Sequence, residues 1–406
     1  MTSRTGRRLP VCVFPTAQPE RLAVEPVFAA MRAETSIARV QLPFGGIAWL
    51  LTRYNDIRAV LASPHCTRSA TTDPQTPRIL PRADAEGLLM SLDAPEHTRL
   101  RGLLASWFTA RRIESLRPAT EAAARELIAD MRKGQSADLV EQFAQRLSAA
   151  LIGDVLGVPR DDRRAFRSWS EAMLSSTSHP PGQIEAAAAE LDAYFDHLVD
   201  QRVEQPRDDL LGVLVAHAQA GRLSRRAVVA LATDLLVAGF QTTAGQLTNS
   251  VYTLVTIPGA WAWLAADRSR ISGAVEELLR ILPLGAGGFR ARVTTTEITL
   301  GAGTAHATSI PAGEVVIAPT IAANTDPGVF PDPLTIRLDR PHNPHLSFGH
   351  GAHRCLGAQL ARMELTAAVG ELVEAFPELA LAVPETRLQW KSGLQLRGPR
   401  TLPVTW

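Results

Sequence analysis

Residues 227–255 form the longest strongly apolar stretch of the chain, and nothing else in the sequence limits its fold as much. A run of that length is either a membrane span or a helix threaded through a large protein core. Asp234, Gln241, Gln246 and Asn249 lie inside it, and each would be costly in hydrocarbon. The stretch is therefore read as a core helix.

The rest of the chain supports a large, mainly helical protein. Apolar residues recur at three- and four-residue spacing over 113–131, 183–203, 224–257, 271–282 and 356–376. Pro258, Pro283 and Pro377 each follow one of these runs, where a missing N–H does least harm. Strand-like alternation is confined to 47–52, 292–300, 314–319 and 394–397. A length of 406 residues favours several domains. Yet no Gly/Ser/Pro linker divides the sequence, no repeat is visible, and the loops at 71–85 and 179–182 are short. The expectation is one domain over 1–406, a large helical portion with a smaller β-rich portion drawn from the two ends of the sequence.

Charge and cysteine content narrow the setting. The formal net charge is +1 and no basic block exceeds a pair, which argues against a nucleic-acid partner. Three cysteines, Cys12, Cys66 and Cys355, cannot make a disulfide framework for a chain this large. The first residues lack the apolar stretch of a signal peptide or membrane anchor, so a soluble, cytoplasmic protein with no membrane partner is expected.

One of those cysteines carries chemistry. In Phe348-Gly-His-Gly-Ala-His-Arg-Cys-Leu-Gly357, two glycines precede Cys355 and one follows, so backbone can approach a flat ligand closely. A helix expected to begin near Leu356 puts the sulfur at a helix N-terminus, where thiolate is favoured over thiol. The bland reading is a structural cysteine in a glycine-rich loop. A zinc site from His345, His350, His353 and Cys355 fails the usual ligand spacing and leaves the glycines unexplained.

The segment resembles the haem-binding signature of the cytochrome P-450 family at every fixed position, and other motifs extend the resemblance over nearly the whole chain. It implies the mainly α cytochrome P-450 fold, haem b (iron protoporphyrin IX) as cofactor, and Cys355 as the axial iron ligand. Phe348, Gly349 and Gly357 would border the cofactor. Glu277-Leu-Leu-Arg280 resembles the family's Glu-x-x-Arg, which taken alone reads as a surface pair. With Arg340 from Leu338-Asp-Arg340 it would complete a buried structural ion cluster. His97 and Arg101, four apart on one helix face, match the family's propionate clamps, as do Arg292 and His353.

Ala238-Gly-Phe-Gln-Thr-Thr243 resembles the oxygen-side motif of the family. Gly239 is expected to relax the helix where dioxygen fits, and Thr242 to carry the hydroxyl nearest that oxygen. The residue before this threonine is normally an acid, but here it is Gln241, which cannot relay protons as a carboxylate does. Gln241 would support a water chain, or line the pocket and bond substrate, or mark a reaction in which proton delivery matters less. Met90, Val237, Ala238, Leu284, Phe289 and Leu394 would line the substrate pocket. The resemblance implies an enzyme that activates dioxygen to oxidise a small, largely apolar or aromatic molecule in secondary metabolism. Ferredoxin or flavodoxin with its reductase would supply electrons, docking near Arg99, Arg111, Arg112, Arg354 and Arg362. Two alternatives stay open: radical coupling of aromatic substrates such as cyclic dipeptides, forming C–C or C–N bonds without oxygen insertion, and a non-catalytic haem-binding sensor.

Overall fold

A computed structural model describes residues 12–14, 21–80, 83, 87–285 and 291–406. The apolar stretch forms a single helix, Arg225–Thr256, in which every residue from Thr243 to Leu254 is buried. Several of its polar side chains are bonded within the protein. Gln246 donates to the Leu278 carbonyl at 3.3 Å, Asn249 to the Arg397 carbonyl at 3.1 Å, and Thr248 to the Ala244 carbonyl at 2.8 Å. Those bonds replace the water that the amides would otherwise need.

Other helices wrap this one because their apolar faces have nowhere else to go. Gln145–Leu156, Pro181–Glu204, Leu210–Gln219 and Ala358–Ala375 all pack against it. Two helical cores result. One joins the C-terminal half of the long helix to Ile271–Ile281 and Ala358–Ala375, the other joins its N-terminal half to Gln145–Leu156 and Pro181–Glu204. Gly157 ends Gln145–Leu156 in the left-handed conformation at φ 74°, the usual device for closing a helix.

A third core lies on the main sheet, whose strand order is Cys12–Val13, Ile37–Gln41, Ile47–Leu51, Val315–Ile317, Ala291–Thr294, Cys66–Thr67. Arg292 pairs with Val316, which in turn pairs with Trp49, so the sheet fixes a buried arginine from inside the molecule. Ala380–Leu381, Pro403–Thr405 and Ser136–Asp138 form a separate antiparallel sheet, and Ile298–Leu300 with Thr308–Ile310 a two-stranded one.

Several expectations need correction. The run at 113–131 is two helices, Ala110–Ser115 and Arg117–Met131, because Pro118 stands at the start of the second. The run at 292–300 divides into Ala291–Thr294 and Ile298–Leu300 around a bend. Residues 394–397 make only isolated bridges, Ser175 with Leu394 and Gly285 with Leu396. The β-rich portion also does not come from the sequence ends alone, since Val315–Ile317 and Ala291–Thr294 complete the sheet begun near the N-terminus. Short strands of three or four residues carry too little pattern to be placed from sequence.

Candidate functional site

A cavity of about 1120 Å³ lies where the long helix, the Ala358–Ala375 helix and the main sheet meet. Cys355 lines it, together with His97, Arg101, Arg292, His353, Phe348, Gly357, Thr242, Gly239, Ala238, Val237, Met90 and Leu284. Phe289 lies outside the described residues.

The loop carrying Cys355 is held by its own backbone. Gly349 donates to the Leu346 carbonyl at 2.7 Å, Arg354 to Gly351 at 3.0 Å, and Cys355 to Phe348 at 2.8 Å. Gly349 and Gly351 sit at φ 73° and 72°, where a side chain is strained. At Gly351 a Cβ would also stand 2.6 Å from the Leu61 carbonyl oxygen and 2.7 Å from Ala62 Cα. Gly351→Ala is therefore expected to cost about 1–3 kcal/mol in urea unfolding. Gly357→Ala is the control, because that residue has an ordinary φ of −81° and its Cβ would meet nothing. Gly349 does not line the cavity, whereas Gly357 does. The helix begins at Ala358 with Gly357 as its cap, two residues later than expected, so its field reaches the sulfur across one turn.

One wall brings arginines and two histidines together. The His97 and His353 rings are 4.1 Å apart, Arg101 donates to the Arg354 carbonyl at 2.5 Å, and Arg292 donates to the Ala291 carbonyl at 3.0 Å. Arg68, unnoticed in the sequence, joins them. Its guanidinium is buried and donates to the Met90 and Ala291 carbonyls at 2.9 and 2.7 Å. Behind it Asp93 accepts from the backbone N–H groups of Arg68 and Ser69, each at 2.9 Å, and from the Thr67 hydroxyl. Burial pushes the Asp93 carboxyl up, but these bonds outweigh it and bring it to about 2. Burial, then Arg292, His97 and Arg68, push His353 down to about 3, so its ring is neutral at physiological pH. Burial and the nearby Arg101 charge likewise lower His97.

Arg68, Arg101, Arg280, Arg292 and Arg354 line a cavity whose only acids among the described residues are Asp234 and Glu364. A ligand bringing two carboxylates would answer that excess of positive charge. Gly357 leaves open space against the cavity beside the cysteine. The donor set, the thiol and the open floor fit haem b, whose propionates are dianionic and whose iron takes a thiolate.

The oxygen-side motif departs from expectation in two respects. The long helix is α-helical without interruption through Gly239. The glycine serves close packing, since a Cβ there would stand 2.8 Å from Ile152 Cδ1. The Thr242 hydroxyl donates back to the Ala238 carbonyl, one turn earlier, which keeps that turn satisfied. Gln241 does not line the main cavity. It is buried beside a cavity of about 50 Å³ lined by Glu171, Lys391 and Leu394, and its Nε2 has no hydrogen-bond partner among the described residues. Leu394 is likewise turned into the small cavity, while Gln395 lines the main one.

The cluster around Glu277 stands beneath the cavity. Arg280 forks onto Glu277 at 2.7 and 2.8 Å, Arg340 adds a bond at 2.9 Å, and the Arg337 N–H donates at 2.9 Å. Arg280 also donates to the Asn324 and Pro333 carbonyls at 2.7 and 2.8 Å, which ties the helix Ile271–Ile281 to the helix Thr320–Asn324 and the segment that follows it. A second, unforeseen node is Glu276, bonded by His345 at 3.0 Å and by Arg362 at 2.6 and 2.9 Å. Burial raises that carboxyl, yet His345 and Arg362 bring it down to about 2. Arg362 is therefore occupied, as are Arg112 with Asp208 and Arg99 with Glu96, which removes three of the expected docking cations from free display.

The fold and this site define a haem-thiolate oxidoreductase, and the comparisons agree. The sequence model of the family described as cytochrome P-450 matches residues 182–397. Nocardicin C N-oxygenase of Nocardia uniformis subsp. tsuyamanensis is 43% identical over 97% of this chain and 98% of its own length. Mycinamicin IV hydroxylase/epoxidase of Micromonospora griseorubida is 43% identical over 93% of this chain and 94% of its own. The crystal structure of the LnmA cytochrome P-450 hydroxylase, from the leinamycin biosynthetic pathway of Streptomyces atroolivaceus S-140, superposes with a TM-score of 0.90. It is 42% identical and covers 98% of this chain and 100% of that one. The chain belongs to the cytochrome P-450 family; it is an enzyme and its cofactor is haem.

Proposed function

We propose that this cytochrome P-450 inserts oxygen into a largely apolar or aromatic natural-product scaffold, in the cytoplasm, with electrons from a ferredoxin or flavodoxin and its reductase. The observation that carries the reading is the meeting of Cys355, the cationic wall and Thr242 in one mostly apolar cavity. Relatives named for nocardicin C and mycinamicin IV support a natural-product substrate. When bound, the haem iron supplies dioxygen activation with two single electrons.

The chain's own residues do the rest. Cys355 holds the iron through a thiolate on a loop whose backbone bonds fix its height. Arg101, Arg292, His97 and His353 clamp the propionates, with Arg68 adding charge and Asp93 fixing the turn that carries it. Thr242 presents a hydroxyl to the cavity, and releasing its bond to the Ala238 carbonyl frees that proton for donation. Leu231, Leu235, Val237 and Leu284 keep bulk water from the reacting carbon.

Thr242→Ala tests this. The variant is expected to insert oxygen roughly 10²-fold more slowly with a surrogate ferredoxin pair. Substrate affinity should stay unchanged, while more of the electrons are lost to hydrogen peroxide. Normal insertion rates would contradict it. A second reading, oxidative coupling of aromatic rings, is favoured by one observation: no carboxyl stands next to Thr242, and Gln241 is turned out of the cavity. A coupled product formed at an unchanged rate in Thr242→Ala would support that reading instead.

A further inference from the structure

Asp234 lies on the long helix one turn before Ala238 and two turns before Thr242, on the face that lines the cavity. Its side chain is half-buried and lines that cavity. Around it are Leu89, Leu231, Leu235 and Val237. One donor reaches it, the Leu89 N–H, at a long 3.3 Å. The charged group acting on it is Asp192 of the helix Pro181–Glu204, which has the same sign and accepts from the Thr233 hydroxyl at 2.8 Å. No described cation pairs with Asp234.

Most other interior acids of this chain are matched by an ion pair or several donors. Glu277 has two arginines, Asp209 has Arg202 at 2.8 Å, Asp326 has Arg32, and Asp93 has three donors. Asp56, which does not line the cavity, has the Gly301 N–H at 3.1 Å. Glu364, the other acid on the cavity, takes the Ser148 hydroxyl at 2.5 Å but has no ion pair among the described residues. An unmatched carboxyl in an apolar wall is destabilising for the empty protein, where a leucine would cost nothing. Burial, opposed by the Leu89 N–H and reinforced by Asp192, pushes it up to about 7. A partner that would hold it ionised has to come from the cavity side that it lines.

Resting on the reading of this cavity as the substrate site, we propose that Asp234 is a specificity residue that anchors substrates bearing a protonated amine. An ammonium group gains most from such a site, since it bonds the carboxylate with charge assistance and restores its ionised form. A hydroxyl or amide donor gains less. At 1.5 Å per residue, eight residues of helix place the anchored nitrogen roughly 12 Å from Thr242 along the axis. The oxidised carbon therefore belongs to the far end of an elongated amine, not to the carbon beside the nitrogen.

Calorimetry on the haem-loaded protein tests this with two biphenyl probes, one ending in a dimethylaminopropyl group and the other in a methoxypropyl group. At about pH 8 the wild type is expected to prefer the amine by about tenfold, the size of one charge-assisted hydrogen bond. Asp234→Asn should abolish the preference and leave ether binding intact, while Asp234→Glu and Glu364→Gln should keep it. Toward about pH 6 the free carboxyl is protonated, so amine affinity falls and binding expels a proton, read as a dependence of the heat on buffer. The ether should show neither effect. No preference in the wild type, or a preference that survives Asp234→Asn, would overturn the assignment. Because the calorimetry reads the carboxyl and a carbon monoxide spectrum reads the iron, either claim can fail while the other stands.

Discussion

Cys355→Ser is expected to fold, to hold haem weakly and to form no oxidised product. The loop is kept by the bonds of Gly349, Arg354 and Cys355 through backbone atoms, and none of them needs the sulfur. The wall of arginines and histidines proposed to hold the propionates is untouched by the change. What disappears is the thiolate, and with it the electron density that helps break the O–O bond. Circular dichroism should show a near-native melting curve, haem should dissociate faster, and product should be undetectable with the surrogate redox pair. Turnover at wild-type rates in the serine variant would remove Cys355 from the account.

Arg280→Ala should have the largest effect on stability. Arg280 and Glu277 are both fully buried, and the guanidinium also serves the Asn324 and Pro333 carbonyls. Its removal leaves a buried carboxylate with Arg340 as its remaining cation, a loss of roughly 3 to 5 kcal/mol. Urea unfolding should shift accordingly, and the haem-to-protein ratio should drop, because the same helix and loop floor the cavity. Arg225→Ala provides the contrast. Arg225 bonds Asp196 and Asp200 at the exposed surface, where solvent screening leaves such pairs little effect on stability. Equal losses in the two variants would contradict the distinction between buried and exposed charge.

Motifs with fixed spacing were legible in the sequence. Phe348 to Gly357, Glu277 with Arg280, and His97 with Arg101 each occupy one local element, so their residues face together once that element forms. The long helix was legible for the same reason, since its length and its internal amides exclude the membrane alternative. Side-chain direction was less accessible. Gln241 and Leu394 each sit next to residues that line the main cavity, yet both are turned into the small one. Arg68 and Asp93 gave no signal at all, because a lone arginine and a lone aspartate in polar surroundings become a wall only when strands and loops meet. Glu276 was hidden in a similar way, as its partners His345 and Arg362 come from later segments.

The central claim is that Cys355 holds haem iron as a thiolate in the cavity that Thr242 also lines. The most direct measurement is the absorption spectrum of the reduced, haem-loaded protein under carbon monoxide. The account predicts the red-shifted Soret band of a thiolate-ligated iron, present in the wild type and absent in Cys355→Ser. A band of the histidine-ligated type in the wild type, unchanged by Cys355→Ser, would contradict it.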